Sequence, residues 1–112
     1  ETIAKMKDGV TIINCARGEL MNIPDMIRGI ETQKIGALAL DVFDKEDGIY
    51  HENRRDDILS NRDMAYLRQF PNVIMTQHMA FYTDAAVQSM VFCGIEGLCD
   101  FAKTGHTETE LV

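Results

Sequence analysis

Three ionisable side chains stand where three apolar runs of the sequence end. Arg17 follows "VTIINCA", Asp41 follows "IGALAL", and His78 follows "NVIMT" at a distance of two residues. An arginine can hold a carboxylate through two parallel hydrogen bonds, and a histidine gives and takes a proton near neutral pH. Glu46, five residues beyond Asp41, would stabilise an imidazolium. These residue types predict proton transfer at an oxygen of a small acid that carries a carboxylate.

Each of these residues also has a plainer interpretation. Arg17 could simply be solvated, Asp41 could cap a turn, and Glu46 lies in a polar stretch where acids are common. A histidine after an apolar run is more often a hydrogen-bonded structural residue than a catalyst. The coincidence of the three strand ends favours a shared site, because open parallel α/β sheets bind ligands beyond the carboxyl ends of their strands. Covalent catalysis has little support, since Ser60 and the cysteines have no evident base beside them.

The elements that would position these residues alternate along the chain. Apolar runs predict strands over 10–16, 35–43 and 72–76, and periodic segments predict helices over 24–34, 62–70 and 84–103. This order predicts a parallel α/β sheet whose strands are covered on both faces. The polar stretch between the second and third strands reads as a long surface loop. A further short helix is predicted from Thr2, as its cap, to about Lys7. The ends of the other helices are marked by Pro24, Ser60 with Asp63, Thr83 and Gly105.

Size, charge and cysteine content exclude several classes of protein. The 112 residues suit one domain, and the formal net charge of −7 argues against nucleic acid or a membrane surface as a partner. Three cysteines without C-x-x-C spacing, Cys15, Cys93 and Cys99, predict no metal site and reduced thiols in a cytoplasmic protein. No basic leader precedes an apolar stretch, and no apolar run approaches the roughly 20 residues of a membrane span. The start at Glu1 rather than at methionine suggests a piece of a longer protein.

Three motifs carry a family resemblance that covers nearly the whole chain. "KMKDGVTIINCARGEL", "GALALDVFDKE" and "PNVIMTQHMAFYT", in this order, resemble the C-terminal part of the D-isomer-specific 2-hydroxyacid dehydrogenases, nearest to the D-lactate dehydrogenase branch. The resemblance implies NAD as cofactor, a Rossmann-type domain beside a substrate domain, and a homodimer. It also implies that Arg17 holds the substrate carboxylate, that His78 is the proton donor and acceptor, and that Glu46 is the acidic partner of His78.

The resemblance further assigns cofactor and pocket residues. Cys15, Ala16, Asp41 and His78 are expected near the nicotinamide end of the cofactor, and Phe81 in the substrate pocket. The G-x-G-x-x-G turn that binds the pyrophosphate is absent from the sequence. The predicted fold is therefore the C-terminal half of a Rossmann-type parallel sheet with flanking helices. Residues 1–83 are predicted to be the nicotinamide-side part of the NAD-binding domain, and 84–112 a helix and tail returning to the substrate domain.

The expected function is that of an oxidoreductase fragment. Its parent would interconvert a 2-oxo acid and a D-2-hydroxy acid, while the isolated chain is expected to be inactive. One alternative is a non-catalytic binding or assembly module derived from the same fold, and another is a truncated product without a role of its own. The set Arg17, Glu46 and His78 favours the enzyme. The sequence leaves lactate, longer aliphatic 2-oxo acids and 2-oxoglutarate open as substrates.

Overall fold

A computed structural model describes residues 2–46, 48–50, 53 and 61–110 of the chain. Strands and α-helices alternate along it, and two short 3-10 turns, Ile3–Lys5 and Gly18–Leu20, flank the first strand. The strands and α-helices are, in chain order, β1 Val10–Asn14, α1 Ile23–Glu31, β2 Ile35–Leu40, α2 Arg62–Leu67, β3 Val73–Met75 and α3 Asp84–Thr104.

The three strands form one parallel sheet in the order β1-β2-β3. The last residues of the strands are paired across the sheet, Asn14 with Leu40 and Leu40 with Met75. The carboxyl ends of all three strands therefore lie at one edge. This confirms the predicted α/β class with a parallel sheet.

The hydrophobic core is built from α1, β2, α2 and the segment that follows β2. Burying each large apolar side chain contributes about 1.5–3 kcal/mol before conformational entropy is considered, so these contacts are what hold the helices against the sheet. The buried cluster consists of Ile23, Met26, Ile30, Ile35, Leu38, Leu40, Phe43, Met64 and Leu67.

The prediction that the strands are covered on both faces is wrong for the described part of the chain. Ile13 and Ile74 are 68% and 65% exposed, and both pair with Ala39 in one row across the sheet. Successive side chains of a strand point to opposite faces. The neighbouring residues Leu38 and Leu40 point into the core, so Ala39 and its row point away from it.

Several predicted element ends differ from the observed ones. All three strands are shorter than their apolar runs, and α1 ends at Glu31 rather than near Lys34. Helix α2 begins one residue beyond Asn61, whose side chain accepts a hydrogen bond from Met64 N at 3.0 Å. Asn61 is therefore the cap of this helix, and the predicted cap, Ser60, lies outside the described residues. Thr2 makes no side-chain cap, and the turn after it is 3-10 rather than α-helical.

The chain divides into two compact units, Glu1–Met79 and Ala80–Val112. Helix α3, predicted over 84–103, is confirmed in the second unit: Thr83 accepts from Ala86 N at 3.3 Å, and Gly105 ends the helix at a φ of 77°. None of its residues is buried. Its length and composition would suffice to cross a membrane, but core helices of soluble proteins meet the same criterion. The predicted boundary at residue 83 remains a prediction.

Candidate active site

A buried asparagine organises the loop that follows β1. Asn14 is 8% exposed; its side-chain oxygen accepts from Ala16 N at 3.0 Å, and its amide nitrogen donates to Arg17 O at 2.7 Å. Cys15, Ala16 and Arg17 are exposed. The Arg17 guanidinium donates to Ala16 O at 2.8 Å, so the side chain folds back over its own loop. The residues predicted to contact the cofactor, Cys15 and Ala16, and the residue predicted to hold the substrate carboxylate, Arg17, thus lie in one short segment. Hydrogen bonds within the segment hold it in place.

The β1 loop rests directly on the segment that follows β2. Gly18 is buried, and a Cβ atom at this position would lie 2.2 Å from the carbonyl carbon of Phe43 and 2.4 Å from Asp44 N. Only glycine allows two backbones to approach this closely. Gly18 therefore brings the loop of Arg17 against the loop that leads to Glu46.

Asp41 is directed toward the segment that follows β3. It is 4% exposed, and its Oδ1 accepts from Thr76 Oγ1 at 2.5 Å and from Met79 N at 2.9 Å. Its carbonyl oxygen accepts from His78 N at 2.6 Å. These three bonds hold His78 and residues on either side of it. The φ of His78, 51°, is unusual for a residue other than glycine. Asp41 holds the backbone of the predicted proton donor, and its predicted role toward the nicotinamide remains a prediction.

Glu46 and His78 form a direct pair. Glu46 Oε1 contacts His78 Nδ1, and Glu46 Oε2 accepts from Phe43 N at 2.7 Å. The side chains are half-buried, with exposed fractions of 32% for His78 and 21% for Glu46. A carboxylate on one ring nitrogen fixes the ring orientation and leaves Nε2 on the opposite side of the imidazole. The pairing expected from the sequence is therefore observed.

A tyrosine hydroxyl is buried near this pair. Tyr50 lies in the turn after Glu46, where Tyr50 N donates to Glu46 O at 3.1 Å. Its hydroxyl is enclosed and has no hydrogen-bond partner in the part of the chain that the structure describes. Burial raises the pKa of Tyr50 above 10.0, and the negative charges of Glu46 and Asp41 raise it further, against the opposing charge of Arg68. Tyr50 therefore stays neutral at physiological pH.

The structure brings most of the predicted site residues to one sheet edge. Arg17, Asp41 and His78 follow the carboxyl ends of β1, β2 and β3, and Glu46 reaches His78 from the loop after β2. Phe81 belongs to the second unit, where its ring meets Tyr82 edge to face with centroids 6.2 Å apart. Its role in a substrate pocket stays a prediction.

Four residues in or beside the site were not predicted from sequence patterns. The contacts of Asn14, Gly18 and Thr76 hold the site together, and the hydroxyl of Tyr50 is buried near the Glu46–His78 pair. Asparagine at the end of an apolar run is a recognisable signal, because its side chain readily bonds backbone groups one to three residues away. The contacts of Gly18 with Phe43 and of Thr76 with Asp41 join distant parts of the sequence, so no local pattern marks them.

A family model agrees with this arrangement. The model of the D-isomer specific 2-hydroxyacid dehydrogenase NAD-binding domain matches residues 1–80. The chain belongs to this family. Its cofactor is accordingly NAD, and the three-stranded parallel sheet with flanking helices is part of the family's Rossmann-like NAD-binding domain.

Individual 2-hydroxyacid dehydrogenases and reductases are similar over the whole chain. An aromatic 2-oxoacid reductase of Clostridium sporogenes is 43% identical over 112 residues, which are 100% of this chain and 34% of that protein. A D-lactate dehydrogenase of Lactiplantibacillus plantarum is 32% identical over 111 residues, covering 99% of this chain and 33% of the relative. The chain therefore spans about a third of the length of these relatives.

Solved structures of dehydrogenases share the fold. A D-lactate dehydrogenase from Sporolactobacillus superposes with a TM-score of 0.91 at 31% identity, over 97% of this chain and 33% of that one. The NAD-complexed D-isomer-specific 2-hydroxyacid dehydrogenase of Lactobacillus delbrueckii ssp. bulgaricus gives a TM-score of 0.85 at 30% identity, over 98% of this chain and 33% of that one.

The sheet edge presents groups that suit one end of NAD. Cys15 and Ala16 lie exposed beyond β1, and the half-buried His78 lies beyond β3. Backbone and imidazole groups of this kind are able to contact a nicotinamide. The 112 residues contain no G-x-G-x-x-G turn for the pyrophosphate, so the groups at this edge match the nicotinamide end rather than the pyrophosphate.

Proposed function

We propose that this chain carries the proton-transfer residues and the nicotinamide side of an enzyme that interconverts 2-oxo acids and D-2-hydroxy acids. The observation that carries the proposal is the Glu46–His78 pair at the sheet edge that also bears Arg17. A half-buried histidine held by a carboxylate, with an arginine loop at the same edge, is suited to proton exchange with a bound acid.

The proposed roles follow from the chemistry of each side chain. His78, with Nδ1 on Glu46, donates a proton from Nε2 to the carbonyl oxygen of the 2-oxo acid and takes it back from the hydroxyl in the reverse direction. Glu46 orients the ring and stabilises its protonated form. Arg17 binds the substrate carboxylate with its planar fork, which places the carbonyl for reaction.

The cofactor supplies the hydride of this reaction. When bound, NADH carries the electron pair that NAD-dependent reduction requires. The chain's own contribution is position: Cys15 and Ala16 are proposed to line the nicotinamide, together with Asp41 and His78. Phe81 is proposed to line the substrate pocket.

The relatives narrow the substrate range to be tested. The 43% identical relative is named for aromatic 2-oxo acids, and other relatives are named for D-lactate. We therefore propose that phenylpyruvate is a substrate alongside pyruvate. The active species is proposed to be a longer, cytoplasmic homodimeric protein, and the 112 residues alone are proposed to be inactive.

The deciding experiment begins with the native protein. Its intact mass establishes whether the polypeptide extends beyond these residues, and its NADH oxidation is then followed with pyruvate, phenylpyruvate and 2-oxoglutarate. His78→Ala should lower the rate in both directions by roughly 10² to 10⁴ at every pH, as expected for a lost general acid and base.

A matched control is His106→Ala, because His106 is an exposed histidine that contacts a carboxylate, Glu110, at 3.2 Å in the second unit. That variant should keep the parental rate. NADH binding without reduction of any of the three acids would refute these substrates and favour a non-catalytic binding module. Equal activity of the two histidine variants would refute the assignment of His78.

A further inference from the structure

Asn14 is placed where it can set the position of Arg17. It ends β1, and its carbonyl oxygen accepts from Asp41 N at 2.9 Å, which ties it to the neighbouring strand. From this anchored point its amide reaches forward to two consecutive residues, Ala16 and Arg17. Among the described residues, Asn14 and Asp41 are the buried polar ones. A buried amide that bonds only the active-site loop links the sheet to that loop.

The contact needs the side-chain amide of Asn14 both as an acceptor and as a donor. Its oxygen satisfies the Ala16 N–H and its nitrogen satisfies the Arg17 carbonyl, so a replacement must accept and donate at once. Aspartate has the same shape and can accept from Ala16 N, but as a carboxylate it has no proton to offer Arg17 O and repels that oxygen. Serine can accept from the amide but is too short to reach both groups.

The loop is held at two points, by the bonds of Asn14 at one end and by the contact of Gly18 at the other. Its position therefore depends on the Asn14 bonds. Gly18 fixes the far end of the loop on the backbone of Phe43 and Asp44. The Arg17 backbone is extended, at φ −144° and ψ 142°, between the Asn14 contact and this fixed point. Losing the Asn14 contact would let the peptide units of Ala16 and Arg17 rotate about the remaining support and change the position of the guanidinium at the sheet edge.

We infer that Asn14 is a positioning residue that orients Arg17 for substrate binding. The inference rests on the proposed function, since it assumes that Arg17 binds the carboxylate of the 2-oxo acid. Displacing a binding group by about 1 Å can cost on the order of 10²-fold in rate. Asn14→Asp in the native protein should therefore lower kcat/KM for the 2-oxo acid by roughly 10- to 100-fold, mostly through KM.

The matched control is Asn72→Asp. Asn72 also donates from its side-chain amide to a backbone carbonyl, Gly36 O, at 2.8 Å, and it stands at the start of β3, away from the carboxyl edge. The two variants make the same chemical change to the same kind of bond. Asn72→Asp should alter the melting temperature at most and leave the KM for the 2-oxo acid at its parental value.

A double-mutant cycle separates positioning from general damage. If Asn14 acts through Arg17, then Asn14→Asp should cause little further loss of kcat/KM in an Arg17→Ala background, because the group it positions is already gone. Additive losses in the two backgrounds would overturn the inference. So would an Asn14→Asp enzyme whose KM matches that of Asn72→Asp.

Two further arms keep the outcome clear. If Asn14→Asp does not accumulate as folded protein, Asn14→Ser, which keeps the bond from Ala16 N, replaces it in the same cycle with the same expected non-additivity. If the parental protein reduces no 2-oxo acid, the proposed function itself has failed. An active parent with additive Asn14 and Arg17 effects shows that only the positioning role is wrong.

Discussion

Both carboxylate oxygens of Glu46 are in use, one on His78 Nδ1 and one on the Phe43 backbone N–H. The loop thereby fixes the carboxylate before substrate arrives, and the carboxylate fixes the imidazole. Preorganised groups of this kind need little rearrangement at the moment of reaction. Glu46 should therefore hold the His78 ring in one orientation.

Replacing Glu46 by Gln should lower kcat/KM in both reaction directions. A neutral amide holds the imidazole less firmly than the carboxylate that contacts Nδ1, so the ring is oriented less well for proton exchange. Rates of reduction and of oxidation measure the loss. Glu96→Gln on α3 is the control and should keep the parental rates. Parental rates of Glu46→Gln in both directions would show that Glu46 is only a loop acid.

Removing the hydroxyl of Tyr50 should stabilise the protein. A buried polar atom without a partner costs about 1–3 kcal/mol, and this hydroxyl has none among the described residues. Tyr50→Phe should therefore raise the free energy of unfolding in urea by on the order of 1 kcal/mol at pH 7. Tyr66→Phe is the control, because it removes an exposed hydroxyl that bonds Glu31 at 2.9 Å and should be neutral or slightly destabilising.

The raised pKa of Tyr50 gives this prediction a second readout. In the unfolded chain the phenol loses its proton near pH 10.0, whereas in the folded chain it does so at a higher pH. The stability that depends on Tyr50 is thus complete below pH 10.0. It falls as the pH rises from there through the folded-state pKa. The advantage of Tyr50→Phe should grow in alkaline solution. A constant difference between parent and variant across that range would contradict the assignment.

At the scale of elements, the close contact of Gly18 should be among the least tolerant points of the fold. Its missing Cβ would meet backbone atoms of Phe43 and Asp44, which cannot move aside as a flexible side chain would. Gly18→Ala should destabilise the protein by at least about 1–3 kcal/mol and lower its melting temperature. Gly94→Ala should do the reverse, since nothing lies within 4 Å of that position and alanine favours a helix interior by about 0.5–1 kcal/mol. Equal melting temperatures of the two variants would refute the backbone contact.

The sequence predicted which elements exist but not where each one ends. Hydrophobic periodicity identified all three strands and the three α-helices, because the core imposes that pattern directly. Ends depend on competing local bonds: Asn61 caps α2 because its oxygen reaches Met64 N, whereas the sequence pattern indicated Ser60. The strand ends indicated that Glu46 and His78 share one sheet edge, and the family resemblance identified them as partners. The bonds of Asp41 to Thr76 and Met79 depend on strand register, which the sequence alone does not supply.

At the scale of the whole molecule, the 112 residues should bind NADH weakly or not at all. The chain lacks the glycine-rich turn that places a pyrophosphate at a helix N-terminus, and it spans about a third of its relatives. Titration calorimetry of the 112-residue chain should show no binding in the micromolar range, whereas the native protein should bind. Micromolar or tighter binding by the chain alone would contradict the division of the cofactor site proposed above.

The proposed acid and base partners lie in one compact unit, Glu1–Met79, which nearly coincides with the family match over residues 1–80. A recombination event with its break point near codon 80 would pass Glu46, His78 and the Arg17 loop to a descendant as a single block. Because the proposed proton transfer uses both members of the pair, such exchanges would keep them together while the flanking segments diverge. New substrate preferences can then evolve without the acid–base pair having to be assembled again.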